Sequence, residues 1–248
     1  MTAHRPWPLP AGPWIMRQSW CELLFAHWPL PPDILRPLVP ARLALDTFDD
    51  SAWVSVAAFR LTGLRARGLP ALPGLSEFLE LNLRTYVRVG DAPGVYFFSL
   101  DAASRLAVMG ARIFYRLPYF HARMSMERRD GWIHYRSRRR GGGDGEGDGG
   151  GAAEFVARYR PVGPAFNALP GSLDHFLVER YALYTTFPTG EVLRADIDHP
   201  PWPLQNAEAE ITRNTVAEAQ GIRLPAREPR LHFAARQDTL VWPPRRTA

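Results

Sequence analysis

The sequence predicts a mainly β protein, an antiparallel β-barrel or sandwich with two or three short helices. Three observations carry that expectation. Several segments alternate apolar and polar residues with the period of two that a strand requires, each bounded by turn-forming residues. The 24 prolines are dispersed along the chain and disfavour long helices. A hydrophobic content of 46% with 12% aromatics in 248 residues can bury a sizeable core, and no linker divides the chain, so residues 1–248 read as one domain.

The elements follow in order. LALDTF and AWVSVAAFRL read as a hairpin turning at Asp49 and Asp50, followed by a Gly- and Pro-rich loop from Gly63 to Gly74. FLELNLRTYVRV is a long strand ending at Gly90 and Asp91, and GVYFFSL is its return partner. In DAASRLAVMGARIFYR the period changes: Leu106, Met109, Ile113 and Gly110 share one face of a helix beginning near Asp101 and ended by Pro118. YFHARMSMER and WIHYRSRRR form a hairpin at Asp130 and Gly131. Gly141 to Gly151 is so rich in glycine that ordering it costs much entropy, which predicts a mobile loop. EFVARYRPV pairs with the strand before that loop, and SLDHFLVERY is a short helix capped by Ser172. ALYTTF and EVLRADI turn at Thr189 and Gly190; NAEAEITRNTVAEAQGI fits strand and helix alike; LHFAARQDTLVW is extended. FAHWPL, around His27 and Trp28, and HPPWPL, around His199 and Trp202, read as proline-stiffened turns with an aromatic anchor whose role is packing.

Composition excludes several kinds of chemistry. All 30 basic residues are arginine, so no side-chain amine is available to form a Schiff base, because guanidinium keeps its proton at any workable pH. A bias toward GC-rich codons accounts for the missing lysines, and the chemical consequence stands regardless of cause. The formal charge of +5 does not imply nucleic-acid binding, since the one dense run (Arg136, Arg138, Arg139, Arg140) leads straight into the acidic GGGDGEGDGGG. The single cysteine, Cys21, rules out an internal disulfide and fits a reducing compartment. With no apolar h-region at the start and no stretch long enough to span a bilayer, the expected location is cytoplasmic, with no membrane partner. A homo-oligomer is left open. There is no Walker loop, GxGxxG, GxSxG or HExxH, so neither a cofactor nor a metal is expected; of the seven histidines only His121 and His134 could face one another across a hairpin.

Two constellations could carry chemistry. In FLELNLRTYVRV, side-chain alternation places Glu80, Asn82, Arg84 and Tyr86 on one face. If that face meets solvent, the strand is an ordinary half-buried one. If it looks into a barrel, it brings an acid, an amide, a guanidinium and a phenol into a small cavity. In ARIFYRLPYFHA, a helix hands over to a strand at Pro118, so Arg112, Tyr119 and His121 could project from a rigid corner. An arginine there could hold a carboxylate, and a tyrosine or histidine could move a proton. Tyr119 in the core and His121 on the surface are the alternatives.

The succession FAHWPL, LVPARLALDTFDDSAWVSV, FLELNLRTYV, GVYFFSLDA, ARIFYRLPYFHARM, LVERYALYT and HPPWPLQNAEAEI resembles the YqjF-like proteins, a family of unknown function grouped by fold with acetoacetate decarboxylase. The resemblance runs from about Trp14 to Trp242. It implies a β-barrel of the acetoacetate decarboxylase-like type with a central cavity. The decarboxylases carry Gly-Arg-Glu and then a Pro-Lys pair whose lysine forms the Schiff base; here the similar stretch is Ala111, Arg112, Ile113 and then Pro118, Tyr119, Phe120. Tyr119 thus stands in the nucleophile's place, and the carboxylate of those enzymes falls at or near Glu80. The expectation is a cavity that binds a small carboxylate or carbonyl compound through Asn82, Arg84, Tyr86, Arg112 and His121. The alternative is a lyase, hydratase or isomerase in which Glu80 and Tyr119 act as general base and acid.

Overall fold

The computed structural model describes residues 4–105, 108–109, 117–141, 151–187 and 189–247. Its strands are β1 (Met16–Leu30), β2 (Ala44–Leu45), β3 (Ala52–Ala66), β4 (Phe78–Val89), β5 (Ala92–Ala102), β6 (Tyr119–Arg129), β7 (Trp132–Arg139), β8 (Ala153–Phe166), β9 (Ala182–Thr186), β10 (Val192–Asp198), β11 (Leu204–Asn214), β12 (Arg230–Val241) and β13 (Arg245–Arg246). The helices are α1 (Pro32–Leu35) and α2 (Leu173–Val178).

All these strands join one sheet in the order β13-β10-β9-β5-β6-β7-β8-β11-β12-β1-β3-β4-β2. Two further pairings, β4 with β5 and β10 with β12, close it on itself. The result is a wall of β12-β1-β3-β4-β5 whose two edge strands each serve two neighbours. The end of β5 pairs with β6 and its start with β9, while one half of β12 pairs with β11 and its end with β10. One arm, β6-β7-β8-β11, and a second, β9-β10, therefore each return to the same wall. The ladder is antiparallel except at β5, which runs parallel to both β6 and β9.

A wall covered on both sides has no solvent face, which is why β3 and β4 are buried almost throughout. Leu81, Leu83 and Val87 enter one apolar cluster, with Leu24, Val56, Tyr135, Phe155 and Tyr159. Phe78 and Tyr86 enter a second, with Phe25, Phe59 and Trp202. The hairpins at Asp130–Gly131 and at residues 189–190, the β4–β5 pair and the Ser172 cap all lie where the sequence places them. The Ser172 side chain accepts from the His175 N–H at 3.2 Å.

Three readings change. FAHWPL is not a turn but the end of β1, paired with β12 on one edge and β3 on the other; a strand buried on both faces reads as a continuous apolar run and loses its alternation. The turn at Asp49 and Asp50 forms, with φ of 47° and 57° and a Phe48–Ser51 bridge, yet β2 pairs with β4 instead of β3. Asp101 belongs to β5 and does not start the helix. Residues 105 and 108–109 are helical, while Leu106, Gly110 and Ile113 lie outside the described residues, as do residues 142–150 of the glycine-rich loop.

Candidate functional site

Alternation along β4 aims one set of its side chains into the space under β9 and β10; β1 and β3 add side chains to the same space, although β1 is interrupted by register shifts between Arg17 and Ser19 and between Cys21 and Leu24. Phe78, Glu80, Asn82 and Arg84 all line one cavity of about 300 Å³ there. Registration fixes their neighbours: Glu80 lies opposite Phe59, Asn82 opposite Ala57 and Leu100, and Arg84 opposite Phe97. Trp20, Phe25, Trp202, His199 and Arg180 complete much of the wall. Trp20 stacks on Trp202 at 5.7 Å, and Phe25 meets the edge of Trp202 at 5.0 Å.

The polar groups in this apolar chamber are only partly satisfied. Tyr119 donates its hydroxyl to Glu80 Oε2 at 2.9 Å, while from the opposite face of the wall Tyr135 donates to the Glu80 carbonyl at 2.7 Å. Burial pushes the Glu80 carboxyl up to about 7, against the smaller opposing pull of hydrogen bonds from Tyr119 and Asn82. Asn82 Oδ1 and Arg84 Nε are buried and have no hydrogen-bond partner. Arg84, 8% exposed, makes a long 3.4 Å contact to the Leu177 carbonyl and sits 4.9 Å over the Phe25 ring. Among the described residues no carboxylate lies within ion-pair distance of it. Arg180 differs, since it holds Asp46 Oδ2 at 2.5 Å and donates to the Phe176 carbonyl at 2.7 Å.

Glu80, Asn82, Arg84 and Tyr119 are thus brought together. Tyr86 is buried but bonded to His27 Nδ1 at 3.1 Å, and it does not line the cavity. Burial, then the neighbouring His232 and Arg84, hold His27 well below the usual histidine range, so it is neutral there. His121 sits in β6, half-buried, away from the lining. It also does not face His134, which pairs with Glu127, because the register puts Ala122 opposite Arg139. No group of metal-binding side chains occurs among the described residues. Arg112 lies outside the described residues. Sequence reasoning missed Arg180 and Trp20, and gave Trp202 and His199 only a packing role. The available signal was charge inside an apolar run: Glu179 and Arg180 interrupt FLV and YALY, yet both are buried.

A sheet closed on itself around a chamber carrying an acid, an amide and a guanidinium defines a cavity-bearing β protein. The chain matches, over residues 17–238, the family DUF2071, described as an uncharacterised conserved protein, and belongs to that family. It is 52% identical over 238 residues to the uncharacterised protein YqjF of Bacillus subtilis (strain 168), covering 96% of this chain and 95% of that one. The fold is shared with the enduracididine biosynthesis enzyme MppR complexed with the condensation product of pyruvate and imidazole 4-carboxaldehyde, at a TM-score of 0.66 and 13% identity over 95% of this chain and 90% of that chain. It is also shared with an acetoacetate decarboxylase, at a TM-score of 0.61 and 11% identity over 96% and 90% of the two chains. No helix among the described residues is long and apolar enough to cross a membrane.

Proposed function

We propose that this protein binds a small carboxylate or carbonyl compound in the cavity lined by Glu80, Asn82, Arg84 and Tyr119, without forming an imine. The observation that carries the reading is Arg84. A buried guanidinium with no carboxylate beside it costs several kcal/mol unless an anion completes it. A ligand carboxylate supplies that charge, and Arg offers it a two-pronged donor. Asn82 Oδ1 and the Glu80 carboxyl, protonated in about half of the molecules near pH 7, add an acceptor and a donor. A structural relative, MppR, has been seen complexed with pyruvate, a small acid of this kind. The absence of lysine removes the amine that a Schiff base requires.

The test is a thermal-shift panel of small acids and carbonyl compounds near neutral pH. Acids raise the melting temperature, and Arg84→Met abolishes the effect; an unmoved melting temperature across the panel overturns the reading. Borohydride trapping with a carbonyl compound labels no internal residue, and an internal label would overturn the chemistry.

A second reading has its own support. A carboxyl titrating near 7 with a tyrosine hydroxyl 2.9 Å away is suited to general acid and base work on a bound acid. In that case the protein is a lyase, hydratase or isomerase. Turnover that Glu80→Gln removes while acid binding survives identifies it, and binding with no product from any acid of the panel rejects it.

A further inference from the structure

We infer that the occupant is an amphipathic monocarboxylic acid, with its carboxylate on Arg84 and a hydrocarbon body lying along β4 toward Phe78. This rests on the carboxylate-binding reading above and adds the class of acid.

The polarity of the cavity is graded along one strand. Arg84, Asn82, Glu80 and Phe78 follow one another on the same face, and Phe78 pairs with Leu61. At the rise of a strand, Arg84 and Phe78 stand roughly 20 Å apart. α2 packs over the arginine end through the Leu177 carbonyl, and Val178 and Arg180 line it. The far end is lined by Met16, Leu61 and Leu64, with Gln18 the polar side chain among them. Beyond it the apolar surface continues outward, because Met16 follows Ile15 (36% exposed), and Arg67 N–H donates to the Ile15 carbonyl at the root of a loop with Leu69 and Leu72 exposed by 61% and 52%. Large exposed leucines beside the apolar end of an otherwise buried chamber mark the way in for an apolar body.

Among the described residues, the arginine end offers one guanidinium without a carboxylate partner. That guanidinium is Arg84, while Arg180 is committed to Asp46. Glu80, midway along, is raised by burial to about 7, so about half of the molecules near neutrality carry it as a neutral acid beside the passing chain. The volume, about 300 Å³, equals roughly ten waters, far more than acetate or pyruvate fills. A short acid leaves the Phe78 end without an apolar partner, and the Trp20–Trp202 stack offers a flat surface on which a longer body is buried.

The experiment is calorimetric titration of the intact protein with straight-chain acids from acetate to decanoate, with pyruvate and octanamide, near neutral pH. Each added methylene is expected to lower Kd by about fourfold until the cavity is filled, which makes octanoate on the order of a hundredfold tighter than butanoate. Octanamide binds at least about tenfold more weakly than octanoate, and Arg84→Met erases that difference. The comparison of octanoate with octanamide uses the unaltered protein, so it stands even if the variant fails to fold. Acetate or pyruvate binding as tightly as octanoate would overturn the amphipathic class while leaving carboxylate binding intact. Octanamide binding as tightly as octanoate, or no acid binding at all, would overturn both.

Discussion

The two faces of β4 are equally buried and put to opposite uses. On one, Leu81, Leu83 and Val87 press into a filled apolar cluster with Val56, Ala58 and the rings of Tyr135 and Tyr159, whose hydroxyls are spent on the Glu80 and Glu22 carbonyls. On the other, Glu80, Asn82 and Arg84 border open volume, and two of the three keep an unpaired polar atom. Burial alone therefore does not separate core from site. What separates them is whether space is filled and hydrogen bonds are closed. The filled face holds the fold together, and the unfilled face carries a standing cost that a ligand can relieve.

The largest effect is expected on the filled face. Leu83→Ala removes a side chain with no solvent exposure from the middle of the wall and is expected to lower stability by about 4 kcal/mol in urea unfolding, since a cavity there cannot collapse between packed strands. A loss below about 1 kcal/mol would mean that this face is as loose as the other.

Glu80 sharpens the comparison through pH. Its folded value, about 7, lies above the ordinary 4.5, so between those limits the native state holds a proton that the unfolded chain has released. Its contribution is therefore fully present below about pH 4.5 and is lost as pH rises toward 7, by about 3 kcal/mol over the full window. Asp101, raised by burial from 3.8 to about 6 against the pull of Arg139, acts in the same direction at lower pH. Because His27 and His199, held below the usual histidine range by burial, act the opposite way in this window, the measure is the difference: from about pH 5 to about pH 8 the urea midpoint of Glu80→Gln should change more favourably than that of the parent. Equal slopes would show that Glu80 titrates normally. Arg84→Met should then move stability the other way, raising it by about 1–2 kcal/mol without ligand, because a buried charge without a counter-charge is replaced by an unbranched apolar chain. A loss on that substitution would show that Arg84 already has its counter-charge.

The difference between the faces also explains what the sequence could reveal. Alternation in FLELNLRTYVRV placed Glu80, Asn82 and Arg84 together and apart from Leu81 and Leu83, because side-chain period is a property of the strand alone. It could not say whether the polar face met water, since that depends on β9 and β10 closing back to β12, a contact between distant segments. The resemblance supplied the cavity, and with it the meeting of Tyr119 and Glu80 across 39 positions. β1 was illegible for a related reason: burial on both sides erased the alternation that would have marked it. Tyr86 shares the face of Arg84, yet its hydroxyl turned to His27, a partner that no local pattern could assign.

The smallest effect probes how the unfilled face is kept in shape. α2 packs over the arginine end of the cavity, and it is only six residues long, so its start depends heavily on the Ser172 hydroxyl accepting from the His175 N–H at 3.2 Å. Ser172→Ala is expected to cost about 1 kcal/mol, as the loss of such a cap does, and to speed hydrogen exchange at the amides of Phe176 and Glu179. Because Arg84 rests on the Leu177 carbonyl of that helix, the same change should weaken acid binding severalfold while leaving the Leu81–Leu83 face as protected as before. Equal loosening of both faces would mean that α2 supports the whole wall and not the cavity end, and the separation between a filled interior and a poised one would then fail at the point where it is easiest to disturb.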